Sequence, residues 1–118
     1  MSDATISSSL VVTKGLISGV SRTLSSLGIS MSGGNYTEAT QTATNSWTAL
    51  GLGSVGTPGL LWLKNWDTVN YVELQIGAGG TPTVKFLPGE AFLIRLDGAP
   101  YVRANSGPCL LEYLVLDQ

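Results

Sequence analysis

The stretch VKFLPGEAFLIRL, residues 84–96, predicts two β-strands joined by a tight turn. Pro88 presets the φ angle of the second turn residue, and Gly89 supplies the positive φ that a type II turn needs at the third. After the turn, apolar residues recur at every second position, which is typical of a strand with one buried face. We therefore predict a β-hairpin with a well-specified Pro-Gly corner.

Strand-length segments with short connections recur through the second half of the chain. Clear examples are LLWLKNW (60–66), YVELQI (71–76), PYVRA (100–104) and CLLEYLVL (109–116). Short connections suit antiparallel neighbours, and Gly, Ser and Thr interrupt every window that could form a helix. The sequence predicts an all-β fold: a single-domain antiparallel β-sandwich over residues 1–118, jelly-roll-like in its strand number.

The N-terminal half gives a weaker signal. Ile6, Leu10 and Val12 lie on one face of a predicted strand over residues 5–13, and the same period continues in GLISGVSRTL (15–24). The first 14 residues form either a core strand or an extended arm that becomes ordered on a neighbour, because exposed Ser and Thr gain little from burial. Residues 36–50, rich in Thr and Ala, are predicted as strand.

Composition limits the classes of partner. The chain has 118 residues, of which 43% are hydrophobic and only 12% charged, about half the usual share of charge. With six Lys and Arg in total and a formal net charge of −2, it lacks a basic patch for nucleic acid. No segment has the length of a membrane span and the N-terminus lacks a secretory signal, so we expect synthesis in a cytoplasm and no membrane partner.

The residues that usually carry catalysis are scarce. The sequence has no histidine and one cysteine, Cys109, which excludes Ser-His-Asp and Cys-His catalysis and the usual zinc sites. Cys109 lies in an apolar run and is expected to be a small buried side chain. Asn65, Asp67 and Asp97 lack the dense spacing of a calcium loop. We predict a protein without catalytic, cofactor-binding or metal-binding residues, with a catalytic carboxylate pair as a minor alternative.

Two segments are apolar on both faces. In LLWLKNW, Leu61 and Leu63 alternate with Trp62 and Trp66, and CLLEYLVL repeats the pattern around Tyr113. A monomeric sandwich leaves one face of each strand polar, so the second apolar face needs cover. This cover comes either from another subunit or from the N-terminal arm.

Residues 59–118 resemble a group of small all-β virion proteins of tailed bacteriophages. The resemblance is carried by LLWLKNWDTVNYVELQIG, FLPGEAFLIRL, PYVRANSG and LLEYLVLDQ, and in the first half by TISSSLVVTKG alone. It implies a non-enzymatic capsid decoration or cement protein, often a jelly-roll-like trimer, bound to the major capsid protein on the outer surface of the virion. Related sandwiches are also head fibres, tail components and receptor-binding modules, so a module that binds a host receptor or carbohydrate is the alternative.

On this resemblance, the large apolar side chains become candidates for subunit contacts. We expect Trp62, Trp66 and Tyr113 to lie between the subunits of a homotrimer. The capsid contact is expected in residues 2–14, through Ile6, Leu10 and Val12.

Overall fold

The computed structural model describes residues 2–17 and 19–118 and divides the chain into two compact units, Met1–Ser32 and Gly33–Gln118. The regular elements in these residues are ten β-strands and one short 3-10 turn, and every strand pairing is antiparallel. The predicted all-β, antiparallel fold class is thus confirmed. The single domain over residues 1–118 stays a prediction beside this division into two units.

The first unit is a two-stranded antiparallel hairpin. Strand β1 (Ala4–Val11) pairs with β2 (Ser21–Ile29), and a 3-10 turn (Gly15–Ile17) lies between them. Gly15, with a φ of 51°, begins the turn and agrees with the corner that the sequence predicts there, whereas the strand predicted from Leu16 begins only at Ser21. Ser18, also within that prediction, lies outside the described residues.

A β-bulge interrupts the hairpin ladder. The register shifts between Ile6 and Ser8, where β2 has one more residue than β1. Ser26, with a φ of 52°, adopts the left-handed conformation there, and its N–H donates a hydrogen bond to Ser7 Oγ at 3.1 Å. Because of the bulge, Ile6 of β1 shares one face with both Leu27 and Leu24 of β2, although the pairing register changes between these two leucines.

The second unit has eight strands in two four-stranded sheets, with the orders β3-β10-β5-β8 and β4-β9-β6-β7. The strands are β3 (Tyr36–Ala43), β4 (Thr48–Ala49), β5 (Pro58–Asn65), β6 (Val72–Ile76), β7 (Val84–Phe86), β8 (Ala91–Arg95), β9 (Pro100–Ala104) and β10 (Cys109–Asp117). The predicted strand over residues 36–50 is two strands, β3 and β4, which belong to different sheets.

The hydrophobic core of the second unit takes side chains from both sheets. One sheet contributes Leu61, Leu63 and Leu111, and the other contributes Leu74 and Val102, all at most 1% exposed. The alternation of buried and partly exposed residues along β5 and β10 agrees with the predicted faces. This packing of two sheets around one core is the arrangement of a β-sandwich.

The Pro-Gly corner has the predicted turn but a different role. Gly89 has a φ of 82°, and the Glu90 N–H donates to the Leu87 carbonyl at 3.0 Å. However, β7 pairs with β6 in one sheet, and β8 pairs with β5 in the other. The predicted hairpin is therefore wrong: the turn carries the chain from one sheet to the other.

Asn65, at the end of β5, connects this corner to the core. Its side chain is fully buried, and its Nδ2 donates to the carbonyls of Asn70 at 3.0 Å and Phe86 at 3.1 Å. Its Oδ1 accepts from the Asp67 N–H at 3.0 Å, and its backbone exchanges hydrogen bonds with Gly89 and Glu90. Buried polar groups in folded proteins are normally hydrogen-bonded, and both side-chain polar atoms of Asn65 have partners.

Candidate interaction surfaces

The hairpin of the first unit has one apolar and one polar face. Residues opposite each other in the ladder share a face, which puts Ile6 beside Leu27 and Ser8 beside Leu24. We call this face, with its further members, the hairpin apolar face: Ala4, Ile6, Ser8, Leu10, Arg22, Leu24, Leu27 and Ile29. The opposite face is built largely from serine and threonine, with one exposed valine: Thr5, Ser7, Ser9, Val11, Ser21 and Thr23.

The hairpin apolar face is open to solvent. Leu10 is 61% exposed, Leu27 44% and Leu24 41%. A two-stranded hairpin is only marginally stable in water unless its apolar face packs against something. These side chains therefore have the properties of a contact surface.

The predicted contact residues Ile6, Leu10 and Val12 lie in this hairpin. Ile6 and Leu10 belong to the hairpin apolar face. Val12 lies one residue beyond β1, where its N–H donates to the Val20 carbonyl at 2.8 Å and its carbonyl accepts from Gly19 at 2.9 Å. The hairpin extends the N-terminal segment well beyond the predicted boundary at residue 14, because β2 ends at Ile29.

A second apolar surface lies on the outside of the sheet β3-β10-β5-β8. Trp62, partly buried, is opposite Leu93 on one side and Leu114 on the other. Leu93 is 41% exposed and Leu110 50%. We call this surface the outer leucine-tryptophan face, and it is the extra apolar face that the sequence predicts for these strands.

Trp66 extends this face past the end of β5. The residue is 50% exposed, and its indole N–H donates to Glu112 Oε1 at 2.8 Å. Lys64 Nζ lies 3.7 Å from the ring centroid, a cation–π distance. Two polar contacts thus hold a large, exposed aromatic side chain in one orientation.

Tyr113 does not belong to this surface. It is 3% exposed, and its hydroxyl donates to the Gly51 carbonyl at 2.7 Å inside the protomer. Burial raises the pKa of its phenol. Along β10, Leu111, Tyr113 and Val115 face the core, so the expected role of Tyr113 as a subunit contact does not agree with its position.

A third surface, on the outside of the sheet β4-β9-β6-β7, is polar and aromatic. Glu73 Oε1 accepts from Arg103 Nη2 at 2.9 Å, and the Arg103 guanidinium carbon lies 4.5 Å from the centroid of the Trp47 ring. An open depression of roughly 260 Å³ lies beside this ion pair, lined by Asn45, Tyr71, Glu73, Arg103, Ala104 and Asn105. The sequence prediction missed this site, because its residues come from different strands and meet only through the pairing register.

Cys109 shows no feature of a reactive thiol. It is fully buried, and burial, with the nearby Asp67 carboxylate, raises the pKa of the thiol. A thiol with a raised pKa and no access to solvent is a poor nucleophile. Its position agrees with the small buried side chain that the sequence predicts.

No family model, no curated protein and no solved structure matches the chain. Across residues 2–17 and 19–118, no group of three or more His, Cys, Asp or Glu side chains could hold a metal ion. In the same residues, no helix is long and apolar enough to cross a membrane.

Proposed function

We propose that the protein is a non-enzymatic virion accessory protein of the capsid decoration or cement type, which binds the assembled major capsid protein on the outer surface of a phage head. The observation that carries the proposal is the open hairpin apolar face, on a unit separate from the sandwich core. The sequence resemblance supplies the class of partner. The role needs binding surfaces rather than catalytic groups, and the large apolar surfaces fit it.

We infer in addition that the second unit is a jelly roll. Consecutive strands alternate between the two sheets except at β6 and β7, which are neighbours in one sheet. Eight antiparallel strands in two sheets, with orders β3-β10-β5-β8 and β4-β9-β6-β7, follow the order expected of two Greek keys. The jelly roll occurs in viral capsid proteins and in lectins, so it supports the virion proposal without deciding it.

The hairpin would bind the shell by burying its apolar face. Complete burial of a leucine side chain contributes about 1.5–3 kcal/mol, and Leu10, Leu24 and Leu27 have roughly half of that surface still exposed. Covering all three would contribute about 3 kcal/mol before any backbone hydrogen bond is counted. A protein that binds only the assembled shell stabilises that shell by mass action.

The outer leucine-tryptophan face would form the contacts of a homotrimer. Trp62, Trp66, Leu93 and Leu110 provide exposed or partly exposed apolar area on one side of a sheet. Aromatic side chains are enriched at the centre of subunit interfaces, and a closed ring buries this face on every subunit. Tyr113 is left out of this interface because it lies in the core.

Sedimentation velocity tests the trimer. We expect the full chain to sediment as a trimer and the double variant Trp62→Ala, Trp66→Ala to sediment as a monomer. The variant Tyr101→Ala is the control, because Tyr101 is a partly exposed aromatic residue on β9, in the other sheet. A double variant that stays trimeric would refute this interface.

Co-sedimentation with capsids assembled without the protein tests the role of the hairpin. We expect Leu10→Ser, Leu24→Ser to reduce capsid binding at least tenfold, because the substitutions make the hairpin apolar face polar. The control Ser9→Ala, Thr23→Ala changes a directly opposed pair on the other face and should bind like the unmodified chain. Amide NMR spectra of each variant verify that the hairpin is still formed. Equal binding by the leucine variant and its control would contradict the proposal.

A further inference from the structure

We propose that the depression on the outer face of the sheet β4-β9-β6-β7 is a binding site for one neutral hexopyranose unit of a glycan. The site lies entirely within the second unit and uses neither the hairpin nor the outer leucine-tryptophan face. It is thus an additional activity, and capsid binding does not have to be established first. The argument rests on the rigidity, the hydrogen-bonding groups and the size of the site.

Charged side chains from the two strands that flank β6 contact the aromatic residues of the site. Glu73 is directly opposite Arg103 on β9 and Lys85 on β7. Arg103 bonds Glu73 and lies over the Trp47 ring, while Lys85 Nζ lies 4.3 Å from the centroid of the Tyr71 ring. The two aromatic rings are each fixed by a cation, so the site is largely formed before a ligand arrives.

The depression presents both donors and acceptors for hydroxyl groups. Asn105 Oδ1 accepts from the Tyr71 N–H at 2.8 Å, which leaves both amide hydrogens of Asn105 for a ligand. Glu73 uses Oε1 for Arg103 and keeps Oε2 as an acceptor. The side-chain amide of Asn45 makes no hydrogen bond within the described part of the chain and supplies both kinds of group. Vicinal hydroxyls of a sugar need such mixed donor and acceptor sets.

Charge and size favour a neutral sugar ring. Glu73 neutralises Arg103, the cation that lines the depression, and the remaining cation, Lys85, lies over the Tyr71 ring and is not one of the lining residues. The lining itself therefore has no net charge to attract phosphate or carboxylate. The volume of roughly 260 Å³ lies just below the smallest usual small-molecule pockets, of about 300 Å³. Tyr71 offers an apolar edge beside the polar groups of the lining, which suits a ring with both a hydroxyl rim and a C–H face. A single ring held this way should bind with a roughly millimolar Kd.

A titration followed by amide and indole NMR tests the site on the full chain. The probes are lactose, maltotriose, triacetylchitotriose and sialyllactose, each raised to tens of millimolar. We expect at least one neutral probe to shift the Asn45 and Asn105 side-chain amides and the Trp47 indole signal together, and to saturate. Absence of these shifts with all four probes would overturn the proposal.

Variants separate binding in the depression from binding elsewhere. Tyr71→Ala should weaken the titration at least tenfold, and Asn45→Ala, which breaks no hydrogen bond within the described residues, should weaken it severalfold. Tyr36→Ala removes an exposed aromatic side chain from the other sheet and should leave the Kd unchanged. Shifts that survive Tyr71→Ala with an unchanged Kd would refute the location. Binding of sialyllactose alone, abolished by added salt, would refute a neutral sugar and indicate an anion site.

Discussion

Replacing Asn65 by alanine should destabilise the sandwich strongly, although the residue is neither hydrophobic nor on a functional surface. The substitution removes three side-chain hydrogen bonds, of 3.0, 3.1 and 3.0 Å. It also leaves the carbonyl of Phe86, whose residue is fully buried, without its side-chain donor. At about 1 kcal/mol for each bond, the free energy of unfolding should fall by about 3 kcal/mol or more.

Urea unfolding followed by tryptophan fluorescence measures this loss. All three tryptophans lie in the second unit, so the signal reports the sandwich without a contribution from the hairpin. For a unit of this size, a loss of 3 kcal/mol corresponds to a midpoint lowered by roughly 2 M urea. Asn65→Asp should be at least as damaging, because a carboxylate cannot donate to the Asn70 and Phe86 carbonyls.

The control for this experiment is Gln41→Ala. Gln41 also makes two side-chain hydrogen bonds, to Ala49 and Gly51, but in a solvent-exposed setting where water replaces them. The expected loss for this variant is about 1 kcal/mol or less. If Asn65→Ala cost no more than Gln41→Ala, the reasoning about the buried corner would be refuted.

Three further predictions follow from burial and pKa. Cys109 should not react with a thiol reagent at mildly alkaline pH until urea unfolds the sandwich, because burial raises the pKa of its thiol; rapid labelling of the folded protein would contradict this. Backbone hydrogen bonds from Asn70 and Val69 lower the pKa of Asp67, so its stabilising effect should be complete above pH 3.8 and disappear as the pH falls through the lowered value. Urea midpoints should therefore fall less steeply in acid for Asp67→Asn than for the unmodified chain. Without a partner, amides of β1 and β2 should exchange with deuterium faster than those of β5 and β10, and equal protection would show that the hairpin apolar face is already covered.

Period-two patterns in the sequence predicted the faces of individual strands well. Leu61 and Leu63 point into the core and Trp62 points outward, because alternation along a strand is a local property. The turn at Pro88 and Gly89 was predictable for the same reason, since its φ angles depend only on the residues in it. Local turn chemistry does not specify the partner of the next strand, which is why the predicted hairpin is wrong.

The surfaces were harder to predict because they depend on register and on which face is inward. Both faces of β10 carry leucines, so the pattern predicted which residues share a face with Tyr113. It did not predict whether that face lies in the core or on the outside of the sheet. Glu73 and Arg103 are thirty positions apart in sequence and become neighbours only when β6 pairs with β9. Leu24 and Leu27 share a face with Ile6 and Leu10 only because the bulge shifts the pairing register. No short sequence motif predicted this bulge.

The measurement that tests the central claim most directly is the rupture temperature of a capsid assembled without the protein, recorded as increasing amounts of the protein are added. If the protein is a cement protein, the rupture temperature rises and saturates at a fixed ratio to capsid subunits, and Leu10→Ser, Leu24→Ser gives no rise while Ser9→Ala, Thr23→Ala gives the full rise. An unchanged rupture temperature at saturating amounts of the unmodified chain would contradict the cement role. The proposed glycan site on the second unit would then be the better guide to function.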